Sequence, residues 1–143
     1  MKNKYYTPTI EEFHLGFEYE YQDGVDKDNK DVWKKTICTK SDFRYLSKTK
    51  IKDFRRVKYL DREDIESLGF TCYQNSNNSQ WRFHKDNLGL MYNPKSKELG
   101  TFTLDPSKSD FMMKHTIDNK MISVLSIKNK SELKKLLKML NIL

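Results

Sequence analysis

Two glutamates, Glu18 and Glu20, alternate with aromatic residues in the run FEYEY and are the first candidates for a catalytic or metal-binding pair. On a β-strand, residues i and i+2 face the same side, about 7 Å apart, where two carboxylates can bind a metal ion or carry out acid–base catalysis. A metal-dependent hydrolase would need further carboxylates and a lysine at matched positions, and the sequence offers no such set. We therefore predict a strand with one buried aromatic face and one solvated polar face, and keep the Glu18/Glu20 hydrolase as an alternative.

Other side chains that commonly take part in catalysis are scattered along the chain. His14, His84 and His115 lie far from one another, and no close pair of histidine and cysteine has the spacing of a zinc site. Cys38 and Cys72 are not part of a CxxC motif, so buried thiols are favoured, although a disulfide is geometrically possible. The five glycines are isolated, which excludes a P-loop or dinucleotide-binding motif. We therefore predict a protein that is not an enzyme and that holds no metal and no cofactor.

The strongest functional signal is the basic stretch FRYLSKTKIKDFRRVKY at residues 43–59. It interleaves cations with aromatic rings, and a lysine or arginine beside a ring that can stack is typical of surfaces that bind nucleotides or single-stranded nucleic acid. An acidic protein surface is complementary to the same charges. The candidate ligand-binding residues are Arg44, Tyr45, Lys52, Arg55, Arg56, Lys58 and Tyr59.

A structural interpretation of this basic stretch stays open. Residues 44–58 carry seven basic side chains against one acidic, whereas residues 11–31 carry eight acidic against two basic. If the two segments form adjacent strands, opposite charges would face each other across them and stabilise the sheet. In a strand through FRRVKYL, Arg55 and Arg56 would face opposite sides, so neither face would be purely apolar.

Hydrophobic periodicity predicts the strands and helices on which these residues lie. Phe17, Tyr19 and Tyr21 alternate with polar residues in a strand pattern, and a polar loop, DGVDKDNKD, separates them from a second strand, VWKKTICT. Residues 42–46 are predicted to form at most a helical turn. Further strands are predicted in FRRVKYL, GFTCY, WRFHK, LGLMYN, LGTFTL, DFMMKHTI and MISVLSI.

Two helices are predicted from their capping residues. Asp61 is an N-cap candidate for a helix of about two turns that ends at Gly69. Ser131 is predicted to cap a final helix, in which leucines recur at positions 133, 136, 137 and 140. We therefore predict an α+β fold in a single domain over residues 1–143. It is a mostly antiparallel β-sheet of about eight or nine short strands, with one short internal helix and a C-terminal packing helix.

The composition sets limits on the class of protein. The chain has 143 residues, a net charge of +7 and eight Phe and eight Tyr, so it can bury one thin, aromatic core. The positive charge permits association with anions without requiring it. No apolar run approaches the roughly 18 residues that cross a bilayer, and the first residues, MKNKYYTPT, lack the apolar core of a signal peptide. We therefore expect a protein that does not associate with membranes.

Three segments are distinctive enough to compare with known proteins: TPTIEEFHLGFEYEY, RRVKYLDREDIESLGF and IKNKSELKKLLKMLNI. They resemble a group of small, mostly uncharacterised proteins that are encoded by bacteriophages of gut bacteria. The resemblance brings no catalytic residues with it. It implies a phage accessory protein that is expressed in the cytoplasm of the infected host cell.

The basic stretch and this resemblance together give a functional expectation. We expect a non-enzymatic phage accessory protein that binds and blocks or sequesters a host protein, in an anti-defence role, or an anionic nucleotide ligand. The alternative is a nucleic-acid-binding protein of phage replication or packaging.

Overall fold

A computed structural model of the chain describes residues 3–46, 54–76, 80–103 and 121–143. Within these ranges the fold is α+β, with antiparallel strands in two sheets, which confirms the predicted class. The strands are β1 Tyr5–Tyr6, β2 Glu18–Val25, β3 Asp31–Ile37, β4 Arg55–Lys58, β5 Thr71–Ser76, β6 Gln80–Lys85, β7 Leu88–Asn93, β8 Glu98–Thr103 and β9 Met121–Ser126. The helices are α1 Lys40–Leu46, α2 Arg62–Glu66 and α3 Lys130–Met139, with a 3-10 helix at Ile10–Glu12.

The chain divides into two compact units, each with one sheet. The first unit comprises Met1–Tyr59, Asn129–Ser131 and Lys135–Leu143, and its four strands lie in the order β1-β4-β2-β3. The second comprises Leu60–Lys128 and Glu132–Lys134, and its five strands follow one another in sequence order, β5 to β9. The strands therefore form two sheets and not one, and the single domain over residues 1–143 stays a prediction.

The core of the first unit is aromatic, as the alternation in β2 predicts. Phe17, just before β2, and Tyr19 of β2 are buried on the same side of the sheet, and Phe13 packs on both with ring centroids 4.9 and 5.1 Å away. Cys38 and Val57 complete the buried cluster. Because side chains alternate along a strand, the glutamates between these rings face the opposite side of the sheet.

The hairpin between β2 and β3 has a shorter loop than the sequence predicts. Strand β2 continues to Val25, with a bulge in its pairing to β3 after Gln22. The carboxylate of Asp26 accepts hydrogen bonds from the backbone N–H groups of Asp28 and Lys30, at 2.8 and 2.9 Å. This side chain replaces backbone partners in the turn, so a five-residue loop is enough to reverse the chain.

The second unit begins with the predicted short helix, α2. Its N-cap is Asp61, whose carboxylate accepts a hydrogen bond from the N–H of Asp64 at 3.0 Å. Gly69 adopts the left-handed conformation, with φ of +90°, just after the helix, where glycine has no steric penalty. The predicted start of this helix is confirmed, whereas the helix is shorter than predicted: it ends at Glu66, with Ser67 as its C-cap, and Gly69 follows in the turn.

The sheet of the second unit buries one row of large side chains across its central strands. Phe83, Leu90, Tyr92 and Leu99 are fully buried. The hydroxyl of Tyr92 donates to the carbonyl of Ile127 at 3.2 Å, and burial raises the pKa of this phenol far above its ordinary value. Strand β9 corresponds to the predicted MISVLSI strand, whereas the predicted strand DFMMKHTI lies outside the described residues.

The final helix, α3, buries a stripe of leucines. It starts at Lys130, so Ser131 is a helical residue and not the predicted cap; its hydroxyl accepts a hydrogen bond from the N–H of Glu18 at 2.8 Å. Leu133 and Leu137 are fully buried. The helix ends where the N–H of Ile142 donates to the carbonyl of Leu137 at 2.9 Å, the bond expected of a Schellman motif.

Close packing between two strands of the second unit gives a test of this fold. Gly89 of β7 lies opposite Phe102 of β8, and a Cβ at residue 89 would lie 2.2 Å from the Phe102 ring. Because Phe102 is itself buried, the ring cannot move into solvent. We expect Gly89→Ala to lower the free energy of unfolding by about 1–3 kcal/mol, measured by urea denaturation. The control, Ser126→Ala at an exposed site of β9, should stay within about 0.5 kcal/mol of the parent; an equally small effect of Gly89→Ala would contradict this packing.

Candidate binding face

The acidic strand β2 lies between two strands that carry basic side chains. Glu20 lies opposite Arg56 of β4 on one side and opposite Lys35 of β3 on the other. Opposite charges directly across an antiparallel pair stabilise the sheet, whereas like charges destabilise it. The acidic and basic segments of the sequence therefore meet as adjacent strands, as the structural interpretation of the basic stretch predicted.

Arg56 pairs with Glu20 in a partly buried polar contact of this sheet. Its Nε donates to Oε2 of Glu20 at 2.7 Å, and the two side chains are only 29% and 12% exposed. Its guanidinium carbon also lies 3.9 Å from the ring centroid of Tyr5 and 4.2 Å from that of Trp33. A charge-assisted hydrogen bond and two cation–π contacts thus hold one side chain in place. The positive charge of Arg56 is already balanced within the protein.

The carboxylates at 18 and 20 share a face but do not form the predicted solvated pair. Glu20 is buried, because the side chain of Arg56 pairs with it, and Glu18 is partly buried. The prediction of a solvated face is therefore wrong at Glu20. The alternative hydrolase would need the negative charge of Glu20 to bind a metal ion. Arg56 already neutralises that charge.

Besides Glu18, Glu20 and Ile37, the side of the first sheet opposite its aromatic core carries five aromatic and basic side chains: Tyr5, Trp33, Lys35, Arg56 and Lys58. We call these five the aromatic–basic face. Alternation places each of them there, since Tyr5 lies opposite Lys58 and Glu20 lies opposite both Arg56 and Lys35. Lys35 is exposed, and the other four are partly exposed. The face therefore offers lysine ammonium groups beside two rings that Arg56 holds in position.

Arg55 faces the other side of the sheet from Arg56. It lies opposite Tyr21 in the pairing of β4 with β2, and its Nε is buried without a hydrogen-bond partner among the described residues. Arg55 also acts on the carboxylate of Asp42. The hydrogen bond from the Thr39 hydroxyl is the main cause that lowers the pKa of Asp42, and the positive charge of Arg55 lowers this pKa further. The two adjacent arginines thus lie on opposite sides of the sheet and cannot bind the same ligand.

The remaining candidates from the basic stretch are dispersed. Arg44 is exposed on α1, and Tyr59 stacks on Tyr6 with ring centroids 4.7 Å apart. The backbone of Tyr45 belongs to α1, which is longer than the predicted turn, whereas its side chain and the whole of Lys52 lie outside the described residues. Of the five candidates whose side chains the structure describes, Arg56 and Lys58 lie on the aromatic–basic face.

Three members of the aromatic–basic face lie outside the basic stretch at residues 43–59. Tyr5 belongs to a two-residue strand, and Trp33 and Lys35 belong to β3. A signal was present in the run VWKKT, since a tryptophan and a lysine at i and i+2 share one face of a strand. No local signal indicates that these residues meet Arg56, because the pairing of distant strands brings them together.

The histidines within the described ranges do not form a cluster. Nδ1 of His14 lies 3.0 Å from the backbone carbonyl of Glu12, and the ring of His84 lies 5.7 Å from that of Tyr73. His115 lies outside the described residues. In the part of the chain that the structure describes, no group of three or more histidine, cysteine, aspartate or glutamate side chains could hold a metal ion.

The two cysteines are free thiols in different surroundings. Cys38 is buried in the core of the first unit, and burial is the main cause that raises the pKa of its thiol, with Asp42 adding to the effect. Cys72 of β5 is partly exposed. The prediction of free thiols is therefore confirmed, and that of burial is confirmed at Cys38.

Comparison of this chain with protein-family models, with curated protein sequences and with solved structures finds no match in any of the three. No helix in the described ranges is long and apolar enough to cross a bilayer.

The contacts of Arg56 predict a large effect of its removal. Arg56→Ala would leave the buried carboxylate of Glu20 without its cation, and we expect a loss of about 2 kcal/mol in the free energy of unfolding, measured by urea denaturation. The control is Arg62→Ala, which breaks the exposed pair between Arg62 and Glu66 on α2, whose Nε to Oε1 distance is 2.9 Å. That change should cost less than about 0.5 kcal/mol. Similar small effects of both substitutions would contradict the structural role of Arg56.

The two thiols should differ in their reactivity. The thiolate is the reactive form, so burial and a raised pKa should make Cys38 react slowly with a thiol-specific reagent. We expect the native protein at about pH 8 to show one fast thiol, which Cys72→Ser removes, and a second thiol that reacts only after unfolding. Fast labelling of both thiols in the native protein would show that the core around Cys38 is open.

Proposed function

We propose that this protein is a non-enzymatic binding protein that blocks a host protein by occupying an acidic surface of it through the aromatic–basic face. One observation carries the proposal: Arg56 contacts Glu20 and the rings of Tyr5 and Trp33 simultaneously. These rings are therefore ordered before any partner arrives, which lowers the entropy lost on binding. Tryptophan and tyrosine rings are among the side chains that contribute most to protein interfaces.

The distribution of the arginines supports a protein target over a nucleotide. Tight recognition of phosphate commonly uses a free guanidinium that donates two parallel hydrogen bonds. Arg55 and Arg56 lie on opposite sides of the sheet, and Glu20 already binds Arg56. The lysines of the face, Lys35 and Lys58, act as point charges, which suits dispersed carboxylates on a protein surface.

The proposal includes the biological context that the resemblance to phage proteins implies. The protein would be a phage accessory protein in the cytoplasm of the infected host cell, and its target would be a host protein, with host defence as the proposed setting. A protein of this kind would act by stoichiometric binding, because the mechanism requires complementary charge and shape and no reacting group.

A second candidate function, nucleic-acid binding in phage replication or packaging, is favoured by one observation. Trp33 lies on the same face as Lys35, and a ring that can stack on a base beside a cation suits single-stranded nucleic acid. The two candidates differ in salt dependence, since release of counterions makes nucleic-acid binding weaken steeply as salt rises.

The test uses the full chain and two charge variants. A thermal-shift and native-mass titration at about 100 mM salt would compare a short polyglutamate peptide, single-stranded DNA and mononucleotides. We expect polyglutamate to bind, and the double variant Lys35→Gln/Lys58→Gln to bind it about tenfold more weakly, a change of about 1.4 kcal/mol. The matched control, Lys135→Gln/Lys138→Gln, removes two exposed charges from α3 and should bind as the parent does.

Each other outcome of this titration counts against the proposal. Single-stranded DNA that binds with a steep salt dependence, while polyglutamate does not bind, would replace the proposal by the nucleic-acid alternative. Equal losses in the two double variants would show that net charge and not the aromatic–basic face attracts the peptide. Turnover of a nucleotide would overturn the non-enzymatic proposal itself.

A further inference from the structure

Strand β3 is an edge of the first sheet, with β2 on its inner side and no other strand of the described ranges on its outer side. The N–H of Cys38 donates to the carbonyl of Phe17 at 2.8 Å, in register with the pairing of β2 and β3. Because hydrogen-bonded residues alternate in an antiparallel pair, the backbone groups of Trp33, Lys35 and Ile37 point outward. The outer edge of β3 thus presents three residues with the polar groups that an added strand would need.

The charges of this sheet alternate from strand to strand. Strand β4 carries Arg55, Arg56 and Lys58, β2 carries Glu18, Glu20 and Asp23, and β3 carries Lys34 and Lys35 against Asp31. The sequence of strands is therefore basic, acidic and basic up to the free edge. An acidic strand added beside β3 would continue this alternation, and its carboxylates would lie opposite the basic side chains of β3.

The side chains of β3 show what such a strand would contact. Lys34 forms an ion pair with Asp23, whereas Lys35 has no ion pair among the described residues and is exposed. Ile37 is 54% exposed, and it shares the aromatic–basic side of the sheet with Lys35 and Trp33. Because Lys35 lies between Trp33 and Ile37 on this side, it favours a partner strand in which an acidic residue is flanked at i−2 and i+2 by apolar residues.

A second copy of this chain fits the edge poorly. An antiparallel copy of β3 that pairs around its centre would set Lys34 against Lys34 of the copy, and like charges directly opposite are destabilising. Lysines on edge strands commonly prevent self-association in this way. Lys35, which forms no ion pair among the described residues, attracts a strand of opposite charge, so the charges argue for an acidic partner.

We propose that the free edge of β3 accepts an extended acidic segment of a partner protein as an additional antiparallel strand. Read from its N-terminus, the segment would place an apolar residue opposite Ile37, a polar residue opposite Thr36, acidic residues opposite Lys35 and Lys34, and an apolar residue opposite Trp33. Main-chain hydrogen bonds supply affinity, and the alternating side chains supply specificity. This inference rests on the proposed function, since it names the form in which the acidic target is bound.

The experiment uses the isotope-labelled full chain and a capped peptide, Thr-Val-Thr-Glu-Glu-Val-Thr. On binding, amide exchange at Trp33, Lys35 and Ile37 should slow by about tenfold or more, because these N–H groups gain partners. Amides at Lys34 and Thr36, which bond inward to β2, should change little. A peptide with lysine in place of both glutamates is the charge control and should not bind.

Two methylated peptides test the backbone contact without changing the protein. The peptide residue opposite Lys35 directs its N–H toward β3, whereas the residue opposite Lys34 directs its N–H away. Methylation of the first amide should abolish binding, and methylation of the second should preserve it. As the protein variant, Lys35→Gln should weaken binding about tenfold, with Lys135→Gln as the charge-matched control.

The outcomes separate this inference from the proposed function. If both the peptide and polyglutamate bind, but the outer amides of β3 exchange as before or both methylated peptides bind equally, the strand-addition inference fails and the proposed function stands. If neither acidic ligand binds, both fail. If polyglutamate binds through Lys35 and Lys58 while the short peptide does not, edge pairing is again overturned and the face alone is the contact surface.

Discussion

The pairing of Arg56 with Glu20 is the interaction on which the first sheet depends. It joins β4 to β2 across 36 residues of sequence, and it buries a carboxylate that would be costly to bury alone. The same guanidinium lies against Tyr5 of β1 and Trp33 of β3, so one side chain contacts residues from each of the other three strands. The order of the strands, with acidic β2 between basic neighbours, follows from the same electrostatic complementarity.

This interaction also determines which side chains are available for binding. Because Glu20 balances the charge of Arg56, the arginine orders the neighbouring rings and does not act as a free phosphate ligand. On this side of the sheet, Lys35 is exposed beside Trp33 on the edge strand β3, and Lys58 of β4 is partly exposed. Stability and binding are thus assigned to different residues of the same surface, so the lysines can be changed without disturbing the buried pair.

Much of the fold could be predicted from local patterns, and the candidate site could be predicted only in part. The alternation of Phe17, Tyr19 and Tyr21 identifies β2, and Asp61 identifies the start of α2, because both signals act within a few residues. The two-residue strand β1 has no period that a sequence can reveal. Tyr5 of β1 and the residues Trp33 and Lys35 of β3 belong to the site because their strands pair in the sheet. This pairing depends on contacts between residues that are far apart in the chain.

Local patterns in the chain establish where the charges lie and which residues alternate: an acidic segment at 11–31, a basic one at 44–58, and a strand in which Arg55 and Arg56 face opposite sides. Which of the two arginines meets Glu20, and which faces the core side, depends on how β4 pairs with β2 in the folded protein. The reason is register. Side chains in a strand have a period of two, so a shift of β4 by one residue against β2 would exchange the two arginines and alter every contact on both faces.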